Sequence, residues 1–201
     1  MVYRWDSRYD QDEFLFGTEP NDFLREQVHR ILADGKVLCL GDGEGRNGVW
    51  LAEQGFSVTS VDLSQVGLDK TQRFAEQRGV TLETVYADLA EWPIEAEAWD
   101  GIVSIFCHMM PDERQEMHHR IVAGLRSKGV FIMEAYTPDQ IDKGTGGPSN
   151  PELLVTAEDV TPELSDLDIL LSRNIEREVI EGTSHTGLAS VAQIIGVNQE
   201  R

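Results

Sequence analysis

The chain has 201 residues, 40% of them hydrophobic and 26% charged, the size and composition of one globular domain with a sizeable core. Seventeen basic residues stand against 36 acidic ones, and the formal charge of -19 repels a phosphate backbone, which argues against nucleic acid as substrate or partner. The longest apolar stretch, 101–110, contains Ser104 and His108 and falls short of the roughly 20 residues of a membrane span, and the charged N-terminus lacks the apolar run of a secretory signal. No membrane partner and a cytoplasmic location are therefore expected.

Taken in chain order, Trp5 and Tyr9 lie in a polar segment too short for its own core, and read either as a cover over a cofactor or as anchors for the terminus. From 20 to 33, Phe23, Leu24, Val28, Ile31 and Leu32 fall on one helical face that ends at Gly35, predicting a helix packed on a sheet. Between 36 and 136 short apolar runs alternate with amphipathic segments, the pattern of an α/β fold with a parallel sheet. Strands are predicted at 36–40, 56–61, 81–86, 101–106 and 130–136, with Cys39 and Cys107 as reduced residues of buried strands. Ser64 reads as a helix cap, Gly55 and Gly79 as helix stops, and Pro111-Asp112-Glu113 as a helix start. The stretch 137–151, with Gly144-Thr145-Gly146-Gly147-Pro148, reads as a long loop, either a lid or a plain connection. Two β-rich runs in 169–197 flank Glu181-Gly182-Thr183-Ser184-His185 and predict an antiparallel hairpin. The whole is one domain: 1–35 a cover segment and helix, 36–136 a cofactor-binding core, 137–201 a loop and C-terminal hairpin.

Directly after the first predicted strand comes Gly41-Asp42-Gly43-Glu44-Gly45-Arg46-Asn47-Gly48. Such a turn lets a ligand approach the main chain and offers it the N–H groups of a helix start. Gly43-x-Gly45-x-x-Gly48 also spells the dinucleotide fingerprint, so an NAD(P)-dependent oxidoreductase has to be weighed. Its register is wrong, because the frame that begins at the strand end puts Arg46 where the third glycine belongs. Nineteen residues past Gly43, Asp62 closes the second strand just before Leu63, where a carboxylate accepts bonds from ribose hydroxyls. Asp88 and Leu89 close the third, where a carboxylate meets the adenine amino group; a Tyr-x-x-x-Lys pair is lacking, since Tyr136 is followed at that spacing by Gln140.

Val37 to Asn47, Val61-Asp62-Leu63-Ser64 and Ala87-Asp88-Leu89 together resemble the motifs of class I S-adenosylmethionine (SAM)-dependent methyltransferases. Gly45-Arg46-Asn47, Trp5-Asp6-x-Arg8-Tyr9, Gly17 to Asp22 and Glu181-Gly182-x-x-His185-x-Gly187 are similar to the tellurite-resistance and thiopurine methyltransferase branch. The resemblance implies a Rossmann-like sandwich, a seven-stranded sheet with one antiparallel strand and helices on both faces, with SAM on the carboxyl edge. It implies Gly41, Asp42, Gly43, Gly45, Arg46, Asn47, Asp62, Leu63, Asp88, Leu89, Phe106, Trp5 and Tyr9 around the cofactor. The acid common two residues ahead of the first glycine is Cys39 here, leaving Asp42 or Glu44 to take over its contact.

The acceptor is expected to be a small molecule, a thiol or a chalcogen oxyanion, and an anion entering so acidic a chain needs a local cation. Arg177 and His185 on the predicted hairpin are the candidates; His108, after the fourth strand, reads equally as a base, a substrate contact or a buried capping histidine. Phe106 reads either as a ring facing the sulfonium by cation–π attraction or as a core aromatic at a strand end. Cys107-His108 and His118-His119 match no metal-ligand spacing, so no metal is expected. A third reading, a SAM-binding domain without catalysis, follows from Cys39 and from the lack of an unambiguous base.

Overall fold

The computed structural model describes residues 5–199. Beyond Lys36, every residue of β1 (Lys36–Leu40) is buried, as in a strand with parallel neighbours and both faces covered. Around it lie β2 (Ser57–Asp62), β3 (Glu83–Tyr86), β4 (Trp99–Ile105) and β5 (Leu125–Tyr136), all pairing parallel. The chain then adds a long hairpin, β6 (Leu167–Glu181) and β7 (His185–Asn198), and the seven strands run β3-β2-β1-β4-β5-β7-β6. β7 lies antiparallel to both neighbours, so the expected single antiparallel strand is present.

Successive side chains of a strand leave by opposite faces, and here they feed two cores. Leu38 and Leu40 pack with Met117 and Ile121 of α5 (Pro111–Gly124), which closes one face. Val37 and Cys39 pack with Phe23 and Leu24 of α2 (Asp22–Gln27) and Leu51 of α3 (Arg46–Glu53) on the other. The long α4 (Gln65–Arg78) begins where predicted: the Ser64 hydroxyl accepts from the Gly67 N–H at 3.1 Å, and Gly79 ends the helix at φ 70°.

The structure corrects several boundaries. The helix expected over 20–33 runs only through Gln27 and a further 3-10 turn to Arg30, and Leu32, assigned to its buried face, is 68% exposed. Two helices escaped prediction, α1 (Trp5–Tyr9) and α6 (Ala157–Val160), each a single turn held by tertiary contacts rather than by periodicity. Cys107 lies past the end of β4 and is half-buried, while Cys39 is buried inside β1; both are free thiols. The glycine-rich loop is not loose. Gln140 Nε2 donates to Thr145 Oγ1 and to the Gly146 carbonyl, both at 2.9 Å, and Thr145 Oγ1 donates to the Leu188 carbonyl at 2.8 Å. No helix among the described residues is long and apolar enough to cross a membrane.

The strand order reverses direction at β1, between β2 and β4. Open α/β sheets bind ligands at such a switch point, beyond the carboxyl ends of the strands. Gly41, Asp62, Ala87 and Phe106 all lie at that edge, immediately after or at the ends of β1, β2, β3 and β4.

Candidate active site

The glycine turn is built by what its main chain must reach. The Gly41 N–H donates back to the Val61 carbonyl at 2.9 Å, and the chain reverses through Gly43 at φ 60° before Gly45 opens α3. A side chain at Gly43 would meet a neighbour as well as the left-handed backbone, since its Cβ would lie 2.6 Å from the Tyr9 hydroxyl. The Gly43 N–H donates to Asp62 Oδ2, and the Ser64 N–H to Asp62 Oδ1, both at 2.8 Å. Burial pushes the Asp62 carboxyl up to about 6, against the lowering effect of these bonds. One bond per oxygen leaves each with accepting capacity. Asp88, past β3, is exposed, and its Oδ1 accepts from the Ala90 N–H at 2.9 Å. The Ala87 N–H donates to the Asp62 main-chain carbonyl at 3.1 Å, which holds the two acidic strand ends side by side. Two carboxylate acceptors beside a turn of bare main chain, with half-buried Leu63 and Leu89 following them, are a donor and acceptor set that fits an adenosine.

Asp42 does not take the part expected of it. Its carboxylate turns inward, accepting from Ser60 Oγ at 2.5 Å and from the Gly48 N–H at 3.2 Å, so it braces the turn from behind. Glu44 is equally committed, with Oε1 2.5 Å from Lys70 Nζ and Oε2 accepting from the Leu15 N–H at 2.8 Å. Neither acid is left to replace the one absent at Cys39.

Over the turn lies the N-terminal segment. Asp6 accepts from Ser64 Oγ at 2.6 Å, and Trp5 stacks on Tyr9 at a centroid distance of 5.4 Å. Buried Lys70 donates to the carbonyls of Tyr9, Gln11 and Glu13 at 3.3, 2.9 and 2.7 Å. Trp5 and Tyr9 are thus held beside the glycine turn, and Lys70, which sequence reasoning passed over, ties their segment down.

Arg46, Asn47 and Arg177, expected at cofactor or acceptor, are drawn into a buried network instead. Arg177 forms a two-pronged pair with Glu134 of β5, which is fully buried and also accepts from Gln193 Nε2 at 2.5 Å and Asn21 Nδ2 at 2.7 Å. Arg46 pairs with Glu181 at 2.6 Å, and the Asn47 carbonyl oxygen accepts from the Asn21 N–H at 2.9 Å. Arg177 is therefore not free to receive an anion. The physical reason is its partner: a buried carboxylate must be compensated, and these arginines do so.

Next to the turn is a packed cluster of rings. Phe106, at φ 53°, holds a backbone conformation that bulky residues rarely adopt and that recurs at functional sites. Its ring stacks on Tyr136 at 4.4 Å and meets His185 edge-on at 5.0 Å. His108 lies parallel to Tyr136 at 5.7 Å, and Phe16 closes on His185 at 4.4 Å. Gly146 lies over this cluster, where a Cβ would stand 2.6 Å from His185 Cδ2 and 3.1 Å from the Tyr136 hydroxyl. Three polar atoms here are shut off from solvent with no hydrogen-bonding partner among the described residues: Tyr136 Oη, His108 Nε2 and His185 Nδ1. The last is 3.7 Å from Glu181 Oε2, too far for a hydrogen bond. The other His108 nitrogen, Nδ1, is 3.0 Å from the Leu153 carbonyl. Tyr136 and Phe16 went unseen in the sequence, although Tyr136 closes a strand at the same edge as Phe106, and that position was signal enough.

Residues 37–129 match the family described as a methyltransferase domain. Over 112 residues the chain is 30% identical to a protein of Geobacillus sp. (strain WCH70) named as a methyltransferase, covering 53% of this chain and 44% of that one. Over 162 residues it is 27% identical to the 2-heptyl-1-hydroxyquinolin-4(1H)-one methyltransferase of Mycobacteroides abscessus, covering 72% of this chain and 69% of that protein. The chain therefore spans less than half the length of the Geobacillus relative. The solved structure of TehB from Haemophilus influenzae shares the fold with a TM-score of 0.72 at 18% identity, over 89% of this chain and 62% of that one.

Proposed function

We propose that the chain is a SAM-dependent methyltransferase acting on a small-molecule acceptor, since residues 37–129 match the methyltransferase-domain family and the chain shares the fold of TehB. The observation that carries this reading is the Asp62 carboxylate, fixed by the Gly43 and Ser64 N–H groups at the switch point and flanked by Asp88. S-adenosylmethionine, when bound, supplies an electrophilic methyl group on a sulfonium. The protein's part in such an in-line displacement is alignment and exclusion of water. Gly41, Gly43 and Gly45 offer main chain, Asp62 accepts from the ribose hydroxyls and Asp88 from the adenine amino group, and Leu63 and Leu89 pack beside them. Trp5 and Tyr9 cover the cofactor, and Phe106 divides it from the ring cluster that holds His108 and His185. A thiol and a chalcogen oxyanion are soft nucleophiles suited to the sulfonium, and the hydroxyquinolone of the Mycobacteroides abscessus relative adds an oxygen acceptor on a ring.

Calorimetric titration with SAM, S-adenosylhomocysteine and NADH tests the reading; tighter binding of NADH would return the chain to the oxidoreductases. Binding of SAM without turnover on any of the three acceptor classes would make it a non-catalytic SAM-binding domain. Asp62→Ala should weaken SAM binding by about 1–3 kcal/mol through loss of charge-assisted acceptors. The pH dependence has a definite sign. With its carboxyl raised to about 6, Asp62 is ionised at pH 7.5 and neutral at pH 5, so SAM affinity should hold at the higher pH and fall as pH drops through about 6. Titrations at pH 7.5 and 5 check this, and an affinity equal at both would place the ribose elsewhere.

A further inference from the structure

The least supported piece of the adenosine site is the turn after β3. That strand has four residues, none buried, at the outer edge of the sheet, and residues 87–98 lead from it to β4 without a helix. Connections of this kind move more than the elements they join. The turn closes on Asp88: the Ala90 N–H donates to its Oδ1 at 2.9 Å, and the Glu91 and Trp92 N–H groups donate to its carbonyl at 3.1 and 2.8 Å. Carbonyls of the same turn are taken by one side chain of α5. Arg120 donates through Nη1 to the Trp92 carbonyl at 2.5 Å, and through Nη2 to those of Leu89 and Ala90 at 2.8 and 3.1 Å. Its Nε donates to the Glu116 carbonyl, one helical turn back, at 3.1 Å, which fixes the plane of the guanidinium. A rigid fork of N–H donors suits three carbonyls at once better than an ammonium on a flexible stem. Leu89 and Trp92 lie half-buried against the core on that face, so packing anchors the turn's side chains while Arg120 sets its main chain.

Resting on the methyltransferase reading above, we propose that Arg120 is a positioning residue for the nucleobase, setting through residues 89–92 the aim of the Asp88 carboxylate at the adenine amino group. Two consecutive peptides carry the effect. The peptide between Leu89 and Ala90 gives its carbonyl to Arg120 and its N–H to the Asp88 side chain, and the next gives its carbonyl to Arg120 and the Glu91 N–H to the Asp88 carbonyl. Each peptide is planar, so fixing its carbonyl fixes the direction of its N–H. Asp88 is exposed, and this bracing takes the place of burial in holding its carboxylate. Asp62 does not depend on it, because its carboxylate is held by the Gly43 and Ser64 N–H groups. Arg120 therefore governs selection of the base and leaves selection of the ribose to Asp62.

The test compares the affinities of S-adenosylhomocysteine, its analogue with hydrogen in place of the adenine amino group, and its analogue lacking the ribose 2′-hydroxyl. The proteins are the unsubstituted chain, Arg120→Met, Arg120→Lys, Asp88→Ala and the double variant Arg120→Met/Asp88→Ala. The unsubstituted protein prefers the amino-bearing ligand by about tenfold, the effect of one hydrogen bond to an exposed carboxylate. Asp88→Ala removes that preference. Arg120→Met lowers it to about threefold or less, Arg120→Lys falls between, and the double variant shows no more loss than Asp88→Ala alone. The preference for the intact ribose is unchanged in both Arg120 variants, which a general loosening of the fold would not allow. An amino preference undiminished in Arg120→Met, an equal fall in the ribose preference, or a further loss on adding Arg120→Met to Asp88→Ala overturns the proposal. Should Arg120→Met fail to fold, the full parental preference in Arg120→Lys overturns it. Absence of S-adenosylhomocysteine binding, or of any amino preference, in the unsubstituted protein would instead overturn the cofactor reading beneath it.

Discussion

Glu134→Ala should destabilise the protein by about 3–5 kcal/mol, the cost of stripping a buried ion pair of one partner. Glu134 is fully buried and accepts from Arg177, Gln193 and Asn21, so its removal strands a guanidinium and two amides at once. Residual attraction from Glu181 and Asp22, 3.7 and 3.8 Å from Arg177, does not replace a two-pronged pair. For a domain of this size about 2–4 °C of melting temperature goes with each kcal/mol, so thermal denaturation should come about 6–20 °C earlier. A loss below about 1 kcal/mol would place this pair with exposed ones, which contribute little.

Lys70→Met should be nearly as severe and should also loosen the N-terminal segment from the glycine turn. The methionine keeps the bulk of the stem but leaves Glu44 buried without its counterion and takes a donor from three carbonyls of the N-terminal segment, of which that of Tyr9 keeps the Gln11 N–H at 2.8 Å. We expect about 3–5 kcal/mol of destabilisation, with amide exchange accelerated in residues 9–15 ahead of the rest. The double variant Lys70→Met/Glu44→Gln should recover part of that loss, since removing both charges of a buried pair costs less than removing one. Equal exchange rates in the single variant and the parent protein would show that the segment is held by its rings alone.

The parts of the fold legible from sequence were those whose signals are local. Alternating apolar runs located β1 to β5, Ser64 and Gly79 bounded α4, and the Gly182 turn marked the hairpin. Asp62 and Asp88 were found at the strand ends where the sequence pattern puts them, because position at a strand end is a local signal. Arg46, Asn47 and Arg177 were misjudged for the opposite reason. A charged side chain in a functional motif looks the same whether it meets a ligand or a buried acid, and Arg46 finds its acid 135 residues away. Asp42 was misread likewise, since nothing near it announces that Ser60, on the neighbouring strand, will claim its carboxylate. The single-turn helices α1 and α6 carry too few residues for any periodicity to show.

The hairpin turn has a consequence for the order in which the molecule is made. Gly182 is pressed so closely against residues 15–17 that a Cβ there would lie 2.5 Å from the Gly17 nitrogen, and the Thr183 N–H donates to the Leu15 carbonyl at 3.3 Å. Phe16 and Asn21 therefore wait for partners, His185 and Glu181, that lie more than 150 residues downstream. Such distant pairings are slow to close. On a ribosome the glycine turn and the first strands can form while the ring cluster still lacks His185, so that cluster is among the last parts of the protein to be completed.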